Sequence, residues 1–200
     1  MAESGSEGFE TLDGIGGDID VWDKRTLKEK LGDVSDGGVF RGKDFIYPLW
    51  KTLLNKWLAY KTSKVYLVTP FLDEQRMQEV CRIALLNEAD DRIASFYVRE
   101  KCNFSKSISD LQETVTGEIK SDDKSKKMQT RLESIYEKIV DPGKTFHAKF
   151  MCCVRGSKAE VFITSANFHG SHFDCNNLDT VQYITTTKKN FEERFLQPLT

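Results

Sequence analysis

The chain has 200 residues, 39% of them apolar and 30% charged, which is the size and balance of one globular domain with a core of its own. Its formal charge of −2 is uneven: residues 1–36 hold ten acidic and four basic side chains, net −6, and the rest holds 21 acidic and 25 basic, net +4. The total names no partner; a mildly basic body suits an anionic substrate and is equally what solvated surface charge gives.

Residues 1 to about 20 are acidic and Gly-rich, so 1–38 reads as an acidic, mostly disordered N-terminal tail. Within it WDKRTLKEKL forms a short helix, closed by Gly32 and the Asp36-Gly37-Gly38 turn. The folded domain is expected over 39–200. The spacing predicts a helix over Asp44–Tyr60, with Pro48 in its first turn and Leu49, Leu53, Leu54, Trp57 and Leu58 on one apolar face. Trp50 and Trp57 read as core. A strand follows at Lys64–Thr69, stopped by Pro70. A helix over Asp73–Leu86 turns Met77, Val80, Ile83, Ala84 and Leu86 inward, and Arg92–Val98 is a strand. Residues 100–126 are polar and read as a mobile insertion. Lys127–Val140 has helical register in Leu132, Ile135, Tyr136 and Ile139, and Asp141-Pro142-Gly143 is a turn. Strands are then expected at Thr145–Val154 and Glu160–Ser165, joined through Arg155-Gly156-Ser157-Lys158, with a further strand at Thr180–Thr185 and a short helix at Asn190–Phe195. Strands alternating with helices predict an α/β sandwich, a mixed β-sheet flanked by helices.

The five cysteines are odd in number, irregularly spaced and without a CxxC pair, which points away from a zinc site or a disulfide framework. Cys152 and Cys153 read as small buried hydrophobes, and free thiols suit a reducing compartment. No apolar run approaches the ~20 residues of a spanning helix, and the acidic N-terminus does not read as a signal peptide. Cytoplasm or nucleus is the expected location.

The chemistry concentrates between His147 and Asp179. In TFHAKFMCCV, period two puts Phe146, Ala148, Phe150, Cys152 and Val154 on one face and His147 and Lys149 on the other. In VFITSAN, Ser165 and Asn167 share a face if the strand stays extended. A hairpin of the two strands would gather an imidazole, an ammonium, a hydroxyl and an amide. Such a set suits a phosphate: the ammonium and amide donate to its oxygens while the imidazole handles phosphorus and proton.

His147-x-Lys149, followed by Thr164-Ser165-Ala166-Asn167, resembles the HKD motif of the phospholipase D superfamily, with wording closest to its tyrosyl-DNA phosphodiesterase branch. Asn177-Leu178-Asp179 is similar to the Asn-x-Glu segment of the small nucleases of that superfamily. The run Val65–Asp73 looks like the opening strand and helix of such domains. The resemblance covers roughly residues 40–200, with 100–140 unmatched. It departs from the pattern at Val154, where the motif often has Asp; at Thr164, where Gly is usual; and at Asp179, where Glu is common.

What the resemblance implies is a phospholipase D-like α/β fold with one half-site per chain and metal-independent phosphodiester hydrolysis without a cofactor. One histidine attacks phosphorus and a second protonates the leaving oxygen. Only one HxK exists here, since His169 is followed by Gly170-Ser171 and His172 by Phe173-Asp174, so a homodimer is expected to complete the site. The implied roles are His147 as nucleophile and, in the partner, general acid; Lys149, Ser165 and Asn167 on the phosphate; and Asp179 orienting His147. His169, His172 and Phe168 are possible substrate contacts, against the plainer readings of surface histidine and core aromatic; Phe173 shares the latter choice. The expected substrate is DNA or RNA, with Lys101, Lys106, Lys120, Lys124, Lys126 and Lys127 as a phosphate-contacting arm. The alternatives are a phospholipid such as a phosphatidyl or cardiolipin ester, or an inactive nucleic-acid-binding or scaffold module.

Overall fold

The computed structural model describes residues 25–99 and 122–200. The tail before residue 25 and most of the expected insertion, 100–121, lie outside the described residues. Seven strands form one mixed sheet: β1 Gly38–Arg41, β2 Lys64–Val68, β3 Ile93–Tyr97, β4 Ile139–Val140, β5 Phe150–Arg155, β6 Lys158–Thr164 and β7 Leu178–Thr187. Their order across the sheet is β1-β7-β6-β5-β2-β3-β4. β2, β3 and β4 run parallel and the other pairings are antiparallel. The helices are α1 Leu27–Asp33, α2 Tyr47–Ala59, α3 Glu74–Leu86, α4 Asp122–Glu137, α5 Gly170–Phe173 and α6 Lys188–Phe191.

The expected α/β class and most elements are present, with shifted bounds. The first helix is the short α1, capped by Thr26 and Glu29 in a reciprocal box. Val34 after it is fully buried and its carbonyl accepts from the Tyr183 amide, so the fold begins before residue 39. The expected helix from Asp44 is a π-helical turn, Gly42–Ile46, leading into α2, which buries the predicted leucines together with Trp50 and Trp57. Asp73 caps α3 through the Arg76 amide, and α3 buries Leu85 rather than Leu86, which is 64% exposed. α4 starts five residues before Lys127 and ends at Glu137, because Ile139 and Val140 leave the helix to pair with Phe96 and Tyr97. At the following turn, Gly143 adopts φ +66° and its amide donates to the Asp141 carboxylate. The last predicted helix is α6 followed by a π-helical turn, Glu192–Leu196.

Side-chain alternation splits the interior in two. Val65, Leu67, Met151, Cys153, Phe162 and Val181 face α2, α3 and α4 in the larger cluster. Val68, Phe150, Cys152, Val154, Ala159 and Val161 face the opposite way, against Phe146, Phe191 and Leu199. Each fully buried large apolar side chain contributes roughly 1.5–3 kcal/mol. No described helix is long and apolar enough to cross a membrane.

Candidate functional site

The β5–β6 hairpin forms in the register the alternation demands, Phe150 opposite Ile163 and Arg155 opposite Lys158 across the turn. Regular pairing begins only at Phe150. His147 and Lys149 therefore stand in an irregular approach to β5, a correction to the strand expected from Thr145. The Thr164 amide still donates to the Lys149 carbonyl at 3.0 Å, which anchors that approach beside β6.

His147, Lys149 and Ser165 line one cavity of about 570 Å³. Phe146, Ile163, Phe195 and Leu199 give it an apolar wall, and Arg194 adds a second fixed cation that sequence reasoning did not single out. None of the 13 lining residues is acidic. Two permanent positive charges beside an imidazole, with no carboxylate in the wall, make a site for an anion. His147 is exposed, and its ring has no hydrogen bond among the described residues.

Asn167 and Asp179 are brought together with Ser165 in a different way. The Ser165 hydroxyl donates to Asp179 Oδ1 at 2.7 Å and accepts from the Thr180 amide at 2.9 Å. Asp179 Oδ2 lies 3.0 Å from His172 Nδ1, and His172 Nε2 lies 3.4 Å from Asn167 Nδ2. A carboxylate on Nδ1 holds the proton there and leaves Nε2 as acceptor in the neutral ring. Asn167 Oδ1 is buried with no partner among the described residues. Both oxygens of Asp179 are thus engaged by Ser165 and His172. The expectation that Asp179 orients His147 is replaced by a chain running Asn167–His172–Asp179–Ser165. Asp179 is only 7% exposed, which strengthens each of these contacts.

The segment holding His172 is pinned from three sides. The Phe168 amide donates to Thr69 Oγ1, and the Gly170 amide to Asp73 Oδ2 at 2.6 Å. Arg76, fully buried, grips Asp174 with two 3.0 Å bonds and lies 4.3 Å over the Tyr47 ring. Burial, and the hydrogen bond to Glu79, push the Tyr47 phenol up. Gly42 passes so close that a Cβ there would sit 1.8 Å from the His172 carbonyl oxygen, so no larger residue fits.

The other expected contacts divide. Phe168 and Phe173 are fully buried beside Trp50, with centroids at 5.5 Å each, so Phe168 is core and not a substrate contact. His169 caps α5 by accepting from the Ser171 amide. Of the lysine arm, Lys101, Lys106 and Lys120 lie outside the described residues; Lys124, Lys126 and Lys127 belong to α4. The sequence offered His172 as a substrate contact or a surface histidine, and not as the partner of Asp179 that the structure shows. Its link to Asp179 has no local signal, since it depends on how the segment folds back over β7. A scan against protein-family models and a search of curated proteins each returned no match to this chain.

Proposed function

We propose that the chain is a metal-independent phosphodiesterase acting on DNA or RNA, a phospholipase D-like nuclease whose site is completed by a second copy. The observation that carries this reading is the cavity lined by His147, Lys149 and Ser165 without any acidic residue. An imidazole nitrogen of His147 attacks phosphorus, the P–N bond forms, and the P–O ester bond breaks as the leaving oxygen takes a proton from the His147 of a second copy. That imidazole then removes a proton from water, whose oxygen displaces His147 from phosphorus and yields a phosphomonoester and the free enzyme. Lys149 donates to the phosphoryl oxygens, with Asn167 contributing its amide, while the Ser165 hydroxyl keeps its proton on Asp179. Asp179 acts through its bonds to Ser165 and His172.

The test is cleavage of single- and double-stranded DNA and RNA in EDTA. The expected result is turnover by the wild type, none by His147→Asn, and an intact dimer in both. Equal behaviour of the wild type and His147→Ala sinks the nuclease reading, and loss of folding in His147→Asn gives the imidazole a structural role instead. A second reading, an inactive binding module, draws on the His147 ring having no orienting partner among the described residues. Trapping a phosphohistidine with a slow substrate excludes it.

A further inference from the structure

We propose that Arg194 binds a second phosphate, the neighbour of the one held at His147 and Lys149, so that the site selects chains of phosphodiesters over isolated ones. The inference rests on the phosphodiesterase reading above and adds a substrate-binding residue to it.

Three observations converge on Arg194. It lines the same cavity as His147 and Lys149 but arrives from the C-terminal segment, on a separate piece of chain. Its neighbours' charges are already matched: Lys188 pairs with Glu192 at 3.6 Å and Lys189 with Glu193 at 3.7 Å. Arg194 has no ion-pair partner among the described residues, and neither does Lys149. Third, the backbone that carries Arg194 is fixed by packing. Phe195 meets Phe150 edge-on at 5.3 Å and stacks on Phe191 at 5.7 Å, and Leu199 is 5% exposed. The backbone from which the exposed guanidinium extends is therefore set, and only the side chain's own rotamers are ordered on binding.

Size distinguishes one phosphate from two. At about 30 Å³ per water-sized volume, a single phosphate group occupies a small part of 570 Å³. Lys149 already supplies donors for that group. A second fixed cation in the same lining, with no ion-pair partner among the described residues, matches the next charge along a polyanion. Phe146, Ile163, Phe195 and Leu199 in the same lining accommodate the uncharged linker.

The test compares thymidine dimer TpT, with one phosphodiester, and trimer TpTpT, with two, by calorimetric titration and by hydrolysis in EDTA. The wild type is expected to bind TpTpT about tenfold more tightly than TpT, the scale of one charge-assisted contact. Arg194→Ala removes that preference, costing TpTpT about tenfold more affinity than it costs TpT. On longer oligothymidylate it lowers the salt dependence of log K by about 0.7, one phosphate contact on a single strand. Arg194→Lys restores part of both. Equal wild-type affinity for the two ligands overturns the proposal, as does an equal loss on both in Arg194→Ala. Binding of the expected pattern without hydrolysis upholds this inference and removes the catalytic one. Hydrolysis of TpT with indifference to Arg194→Ala does the reverse, and no binding of either ligand removes both.

Discussion

The two faces of the sheet are covered very differently. On one side, α2, α3 and α4 lay a full helical layer over the larger core, with Trp50, Trp57 and Phe162 fully buried. On the other side, the C-terminal run from α6 to Leu199, with Phe146, is the main cover. The thick side holds the domain together and, through Arg76, clamps the His172 segment. The thin side leaves space between cover and sheet, and the cavity with His147, Lys149 and Arg194 opens there. The difference shows a division of labour: the layer that seals the interior is not the layer that shapes the candidate site.

This contrast can be broken by mutation. Trp50→Ala removes a ring packed on Tyr47, Phe168 and Phe173, and is expected to cost about 4–5 kcal/mol in urea unfolding. Phe191→Ala, on the thin side, is expected near the lower end, about 3 kcal/mol, since a single covering run relaxes more easily than a helical layer. Equal costs would show the two faces to be energetically alike.

A smaller effect separates charge from shape in the clamp. Asp174→Ala leaves the guanidinium of Arg76 buried and half-partnered, a loss of about 2 kcal/mol after allowing for the exposure of Asp174. Arg76→Met removes the buried charge itself and is expected to cost less in the same unfolding measurement. If Arg76→Met is the more damaging, packing over Tyr47 outweighs the ion pair.

The smallest change is one of accessibility. Burial pushes the thiols of Cys81 and Cys153 up to about 12 and raises Cys152 as well, whereas Cys175 is exposed. Alkylation at pH 8 should label Cys175 and spare those three, because only the thiolate reacts. Removing residues 188–200 should then make Cys152 reactive and leave Cys81 protected. Simultaneous labelling of both would mean that the faces open together. Cys102 lies outside the described residues.

Much of this fold was legible because long apolar stripes carry their own period. α2 and α3 show it in Leu53, Trp57, Met77 and Val80, and the β5–β6 hairpin in its alternation about Gly156. The misses have local causes. Gly38–Arg41 is four residues with one buried-face aromatic, too short to signal a strand, and Ile139–Val140 continues a helical register until Phe96 and Tyr97 claim it. His147, Lys149 and Ser165 could be read as one group because they sit close in sequence, whereas Asn167, expected with them, turns to His172 instead. What escaped was everything assembled at a distance: Asp179 turned to His172 rather than His147, and Arg194 carried back to the hairpin by the C-terminal run.

The pairing of β1 with β7 sets the order in which these parts can appear. Phe40 stands opposite Asp179, so β1, the earliest of the described strands, is zipped to β7, the latest of them. Closing so long a loop is slow and entropically expensive, and it waits until residue 181 is available. A chain stopped before β7 therefore holds the β5–β6 hairpin and His172 but not Asp179, the carboxylate that orients that imidazole.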